Sequence, residues 1–209
     1  MKITYLGHAC FLIEMANGVK ILTDPYDQKV GYQVFDTEAD IVTTSHKHLD
    51  HAYLEKVKSG YVLVDKEGEY EVRGVKIEGL KSFHDKQSGT KRGENIIFIF
   101  NSHFKLAHLG DLGQISSVVD ALKGVDIMLI PVGGFYTIEP EEAKELVWMV
   151  KPKIVIPMHY KTQKTGFNIK PVDAFTKYFS YVNILKSDTL EIVDLPKETP
   201  FVYVLNHRG

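Results

Sequence analysis

The chain has 209 residues, 44% of them hydrophobic, enough to bury a substantial core. Its formal net charge is −2 and its pI is near 6.5, which argues against a strongly basic nucleic-acid surface. A single cysteine, Cys10, excludes an intrachain disulfide and points to a reducing compartment, and no apolar run approaches the ~18 residues needed to span a membrane.

The first half reads as strands. Residues 3–6 and 10–15 are short apolar runs, and Asn17-Gly18 is a strong hairpin signal before a strand at 19–23. The N-terminus lacks a sustained apolar core and reads as the first strand, not as a signal peptide. Asp24-Pro25 ends the strand at 19–23, and the mixed, polar stretch 26–40 is expected to be a long surface loop. A strand at 41–44 follows, then a short helix over 52–58. Further strands are expected at 61–64, 70–72, 75–80 and 96–100, with a polar, glycine-containing exposed loop at 86–93.

The second half alternates strand and helix. A strand at 104–109 ends at Gly110-Asp111. Ile115, Val118, Val119 and Leu122 fall on one helical face, closed by Gly124. After a buried strand at 126–131, Pro140-Glu141-Glu142 is a good first turn for a helix to about residue 150. A strand at 154–156, a helix at 172–179 and short strands around 190–193 and 201–204 complete the chain. Two sheet-rich halves without a low-complexity linker predict an α/β fold, packed most simply as a four-layer α/β/β/α sandwich.

The chemistry concentrates in His46-Lys47-His48-Leu49-Asp50-His51, directly after the strand at 41–44. Alternate residues of an extended segment point the same way, so His46 and His48 can reach one ion together. Asp50 and His51 point away from that pair and suit a second ion. His84, Asp111 and His159 each follow another apolar strand, where loops held by a rigid scaffold commonly build sites.

In this order the seven residues resemble the metallo-β-lactamase superfamily pattern, His-x-His-x-Asp-His, then His, Asp and His, each on a loop after a strand. Gly7-His8-Ala9-Cys10, Thr23-Asp24-Pro25, Gly110-Asp111 and Pro157-Met158-His159-Tyr160 look like its branch of small metal-dependent hydrolases that includes ascorbate-6-phosphate lactonase-like proteins. The resemblance covers nearly the whole chain and implies one domain over 1–209. It implies that His46, His48 and His84 hold one ion, that Asp50, His51 and His159 hold a second, and that Asp111 bridges them. Two divalent ions are the implied cofactors, zinc first, with manganese or iron as alternatives. A water or hydroxide between the ions would attack an ester, lactone or phosphodiester, with Asp50 orienting it and taking its proton.

Other residues carry weaker expectations. In the resembled branch a His at the position of His8 lines the active site, which assigns it a catalytic role, with structural hydrogen bonding as the alternative. Asp24 is expected to orient a ligand histidine, or otherwise to close the turn before Pro25. His108, three residues before Asp111, is expected to line the pocket or, in preference, to be an ordinary half-buried histidine. Gly134 and Phe135, in Gly133-Gly134-Phe135-Tyr136-Thr137, can border a ligand, and Tyr160 and Lys161 can bind an anionic one. Cys10 is expected in the core, His103 and His207 on the surface. The expected partner is a small-molecule substrate in the cytoplasm, with no membrane or nucleic-acid partner and with homo-oligomerisation left open. Di-iron redox proteins and nucleases of the same fold are the alternatives. The first usually carry Glu where this chain has His48, and the second carry an extra arm or domain.

Overall fold

Alternation along short β-branched and aromatic runs builds two mixed sheets in the computed structural model, which describes residues 1–208. The first contains β1 (Lys2–Gly7), β2 (Cys10–Glu14), β3 (Lys20–Thr23), β4 (Ile41–Thr43) and β5 (Val62–Val64), with β13 (Thr189–Glu191) on the free edge of β1. The second contains β6 (Gly68–Val72), β7 (Val75–Phe83), β8 (Glu94–Asn101), β9 (Lys105–His108), β10 (Ile127–Pro131), β11 (Ile154–Met158), β12 (Val182–Ile184) and β14 (Phe201–Val204). Its spatial order is β12-β14-β11-β10-β9-β8-β7-β6. Antiparallel pairing runs from β6 to β9, and parallel pairing from β9 through β10, β11 and β14 to β12.

The register shows how one strand serves two layers. Ile21 pairs with Ile41, and both join the large core that also contains Phe98, Phe100 and Ile127 of the second sheet. Leu22 pairs with Val42 on the opposite face and packs with Leu6, Cys10, Tyr26 and Tyr32. The period of two therefore separates the inter-sheet core from an outer apolar layer. Helix α1 (Pro140–Val150) buries Ala143, Leu146, Val147 and Val150 in the large core. Its start is fixed by Pro140 and by the Glu142 carboxylate, which accepts the Glu139 N–H at 2.9 Å. The α/β sandwich expected from sequence is the fold observed.

Several local expectations are corrected. Residues 52–58 are not helical; Thr37 bridges Val57, and their segments exchange backbone hydrogen bonds. The stretch 26–40 is no simple surface loop: Tyr26, Val30 and Tyr32 are buried, and a 3-10 turn spans Gln28–Val30. It covers the outer face of the first sheet. Around 115–122 the apolar face is buried through Val118 and Leu122, but as successive tight turns, with Val118 N–H bonded to Ile115 O and Val125 N–H to Leu122 O. The late helix is shorter than expected, α2 (Asp173–Thr176), and β12 went unpredicted. Among the described residues no helix is long and apolar enough to cross a membrane.

Candidate metal centre

The strand ends of both sheets meet at one place. The loop after β4 supplies His46, His48, Asp50 and His51; His84 follows β7, Asp111 follows β9 and His159 follows β11. The rings form one continuous cluster, in which His46 lies 4.3 Å from His51, centroid to centroid. His46 lies 4.7 Å from His48 and 4.8 Å from His84, centroid to centroid. His159 lies 6.0 Å from His51, and His8 lies 4.3 Å from His159. Asp111 reaches into this cluster with both oxygens. Its Oδ2 is 3.3 Å from His84 Nε2, while its Oδ1 is 3.3 Å from His51 Nε2 and 3.5 Å from His159 Nε2. Asp50 Oδ2 lies 3.5 Å from His8 Nε2 and 3.8 Å from His51 Nε2.

Backbone strain and close packing hold these loops. His8 (φ 56°), Asp24 (φ 41°) and His159 (φ 52°) all adopt the left-handed region, which non-glycine residues seldom enter away from functional sites. His8 and His159 are fixed together: the His8 carbonyl accepts the Tyr5 hydroxyl at 3.0 Å and the His159 N–H at 2.9 Å. Gly113 lets the chain after Asp111 press on His84. A Cβ there would lie 2.3 Å from Asp85 N and 2.5 Å from His84 C. Asp111 itself is pinned by its N–H, which donates to Asn95 Oδ1 at 2.8 Å.

Asp24 aims the histidines. It is fully buried, with Oδ1 accepting the Ser45 N–H at 2.7 Å and Oδ2 accepting the Ser45 hydroxyl at 2.6 Å. Oδ2 also meets His51 Nδ1 at 2.8 Å, and an ionised carboxylate can only accept there, so Nδ1 carries the proton and Nε2 is left free. Ser45 Oγ, its own proton committed to Asp24, accepts from His46 Nδ1 at 3.0 Å, which frees His46 Nε2 in the same way. His108, completely buried, donates from Nε2 to Ala9 O at 2.8 Å and accepts the Gly110 N–H at Nδ1, so it supports the turn that carries Asp111.

The electrostatics leave donor atoms in search of a partner. Burial pushes His46 down to about 3 and His8 down to about 4, and it also lowers His84 and His159. These imidazoles are neutral at pH 7, with lone pairs to give. Burial would lower His51 too, but Asp111 and Asp24 outweigh it and hold His51 well above its ordinary value, so without a cation its Nε2 also carries a proton, which a bound ion would displace. Burial raises Asp111, and the histidines around it reverse the sign and keep it ionised. His46 Nε2, His51 Nε2, His8 Nε2 and Asp111 Oδ1 are buried without a hydrogen-bond partner. Leaving such atoms unsatisfied costs about 1–3 kcal/mol each. Ligand atoms of His46, His48 and His84 lie within 4.8 Å of one another, as do those of His46, His51 and Asp111, and those of His8, His51 and His159. Neutral imidazoles with carboxylates form a donor set suited to zinc, iron or manganese.

Comparison with known proteins agrees with this architecture. The profile described as the Beta-lactamase superfamily domain matches residues 2–159. This chain belongs to the metallo-β-lactamase superfamily. Within the superfamily it is similar to a UPF0173 metal-dependent hydrolase of Pelotomaculum thermopropionicum, 32% identical over 196 residues, covering 78% of this chain and 85% of the relative. It is also similar to a UPF0173 protein of Pyrococcus abyssi, 31% identical over 186 residues and covering 79% and 86% of the two chains. A crystal structure from Thermotoga maritima, described as a candidate Zn-dependent hydrolase of the metallo-β-lactamase superfamily, superposes with a TM-score of 0.83. Its identity is 42%, and the match covers 98% of this chain and 97% of that one.

Within this metallo-β-lactamase framework some pocket expectations are displaced. A cavity of about 190 Å³ is lined by His48, Asp50, His84, Asp111 and His159, together with Arg92, Tyr136 and Phe167. Tyr160 does not line it. The chain reverses at His159, and Tyr160 turns into the core, where its hydroxyl donates to Leu205 O at 3.5 Å. Lys161 Nζ donates to the Thr165 and Phe167 carbonyls, so it braces a loop instead of facing a ligand. Gly134 shapes a turn that Glu139 caps by accepting the Phe135 N–H, and the Phe135 ring is 56% exposed; their neighbour Tyr136 is the one that lines the cavity. His207 is half-buried against Tyr32, 5.0 Å between centroids, and is not a plain surface residue. Arg92, Phe167 and Asn95 escaped sequence reading. A faint local signal existed only for Arg92, in the glycine-containing loop directly after His84.

Proposed function

We propose that this metal-dependent hydrolase works with a dinuclear centre and cleaves an ester, lactone or phosphodiester bond of a small substrate. The observation that carries the reading is Asp111, whose Oδ2 faces His84 while its Oδ1 faces His51 and His159. In this assignment His46, His48 and His84 hold one divalent ion; Asp50, His51 and His159 hold the other; Asp111 is shared. Zinc is the first choice for so many imidazoles, with manganese and iron next. Bound there, the ions lower the pKa of water and offset negative charge on a carbonyl or phosphoryl oxygen.

The protein's own groups supply the rest. Asp50 is held ionised against burial by the neighbouring imidazoles of His8, 3.5 Å away, and His51, and accepts the proton of the attacking water. His8, neutral and 3.5 Å away, orients that carboxylate. Phe167 stacks on the His159 ring at 6.3 Å and excludes water from one side of the site. The single buried cysteine supports a reducing, cytoplasmic setting.

Metal analysis of protein purified without added ions tests the proposal. It should return two equivalents per chain. Asp111→Asn should lower that occupancy and abolish turnover of ester, lactone and phosphodiester probes. One equivalent, left unchanged by Asp111→Asn, would overturn the dinuclear assignment.

A further inference from the structure

The substrate cavity contains a cation that the hydrolytic centre does not use. The chain has three arginines, at positions 73, 92 and 208. Arg73 pairs with Asp40, and Arg208 pairs with Asp188 at 2.6 Å. Among the described residues Arg92 has no carboxylate partner, yet it borders the same cavity as His84, Asp111 and His159. Three other cations around the site are engaged elsewhere: Lys86 with Glu142 at 2.8 Å, Lys170 with Glu139 at 3.0 Å, and Lys161 with backbone carbonyls.

Arg92 is also held from both ends. Its N–H donates to Asp85 Oδ2 at 2.8 Å, and the same carboxylate accepts from Gln87, Gly89 and Lys91, which ties the whole turn to the residue after His84. Its guanidinium lies 5.2 Å from the Tyr136 ring centre and 6.0 Å from that of Phe135. Stacking on an aromatic face sets the plane of the guanidinium and leaves its edge N–H groups free. A planar fork of donors beside a cavity matches the two oxygens of a carboxylate or phosphate. At about 190 Å³ the cavity is smaller than the ~300–1,000 Å³ of drug-sized sites, so its occupant is a small molecule, and Arg92 borders the same space as His84, Asp111 and His159.

We infer that Arg92, stacked on Tyr136, is a specificity-determining residue that binds a second, non-reacting oxyanion of the substrate. This rests on the dinuclear reading for the position of the reacting group. The substrate class is then a small molecule carrying a carboxylate or phosphate besides the scissile bond.

Calorimetric titration of zinc-loaded protein tests this with three probes that share one carboxylate for the metal centre: propionate, which has no second oxyanion, succinate and 3-phosphonopropionate. In the wild type a second anionic group should tighten binding by roughly tenfold or more over propionate. Arg92→Gln should abolish that advantage and leave propionate affinity unchanged, a selective loss that a merely structural role would not produce. Arg92→Lys, which keeps the charge but not the fork, should restore only part of it. The probe that gains more, succinate or 3-phosphonopropionate, identifies carboxylate or phosphate as the preferred group. The same advantage in Arg92→Gln, or none in the wild type, overturns the inference. Zinc is quantified in the same samples, so a wild type with fewer than two ions contradicts the dinuclear reading separately, while the dianion advantage still decides the role of Arg92.

Discussion

Asp24 touches no part of the cavity, yet it sets the direction of two histidines through Ser45 and its own contact with His51. Groups that orient metal ligands in this way are commonly worth 10–100-fold in affinity. Asp24→Asn should therefore weaken zinc binding by about that factor, measured by competition with a chromophoric chelator. Unchanged affinity would show that His51 and His46 are aimed by other contacts. Asp85 acts on the neighbouring loop. Burial would raise its carboxyl, but the amides of Arg92, Gln87, Lys91 and Gly89 outweigh burial and hold it at about 2, against an ordinary 3.8. A depressed carboxyl stabilises the fold above its unfolded pKa, and that stability is lost as pH falls from about 4 to about 2. Acid titrations followed by circular dichroism should show this loss in wild-type protein and a smaller one in Asp85→Asn. Identical profiles would remove Asp85 from the account.

Among the elements, the strands were the most legible in sequence. The alternation that places Ile21 and Ile41 on one face and Leu22 and Val42 on the other is local information. So is the spacing of His46, His48, Asp50 and His51. Helices without strong caps were not legible. Residues 115–122 bury the expected face, but Ser116-Ser117-Val118-Val119 is poor helical sequence, and tight turns bury the same side chains. Residues 52–58 find backbone partners in a segment about twenty positions earlier, which no local pattern reveals. Arg92, Tyr136 and Phe167 come from three separate loops and meet only in the fold. The contact of Gly113 with the His84 backbone belongs to the same long-range class. Gly113→Ala puts a Cβ against backbone that cannot yield without moving His84. It should cost about 1–3 kcal/mol in chemical denaturation and also reduce metal content. A fully loaded, equally stable variant would contradict that packing argument.

At the scale of the molecule, the proposed ions tie the two sheets together. The first sheet contributes the loop carrying His46, His48, Asp50 and His51, and the second contributes His84, Asp111 and His159. An ion at 100 times its dissociation constant stabilises the folded chain by about 2.7 kcal/mol. Chelation of both ions should therefore lower the melting temperature by roughly 10–20 °C in calorimetry, reversed by added zinc, whereas an unchanged melting temperature would place the ions outside the fold's energetics. The most direct test of the centre itself is anomalous diffraction at the zinc absorption edge from crystals of zinc-loaded protein. The account predicts two peaks per chain, one among His46, His48 and His84, the other among Asp50, His51 and His159, with Asp111 between them. A single peak, or a second one held by His8, His51 and His159 without Asp111, would contradict it.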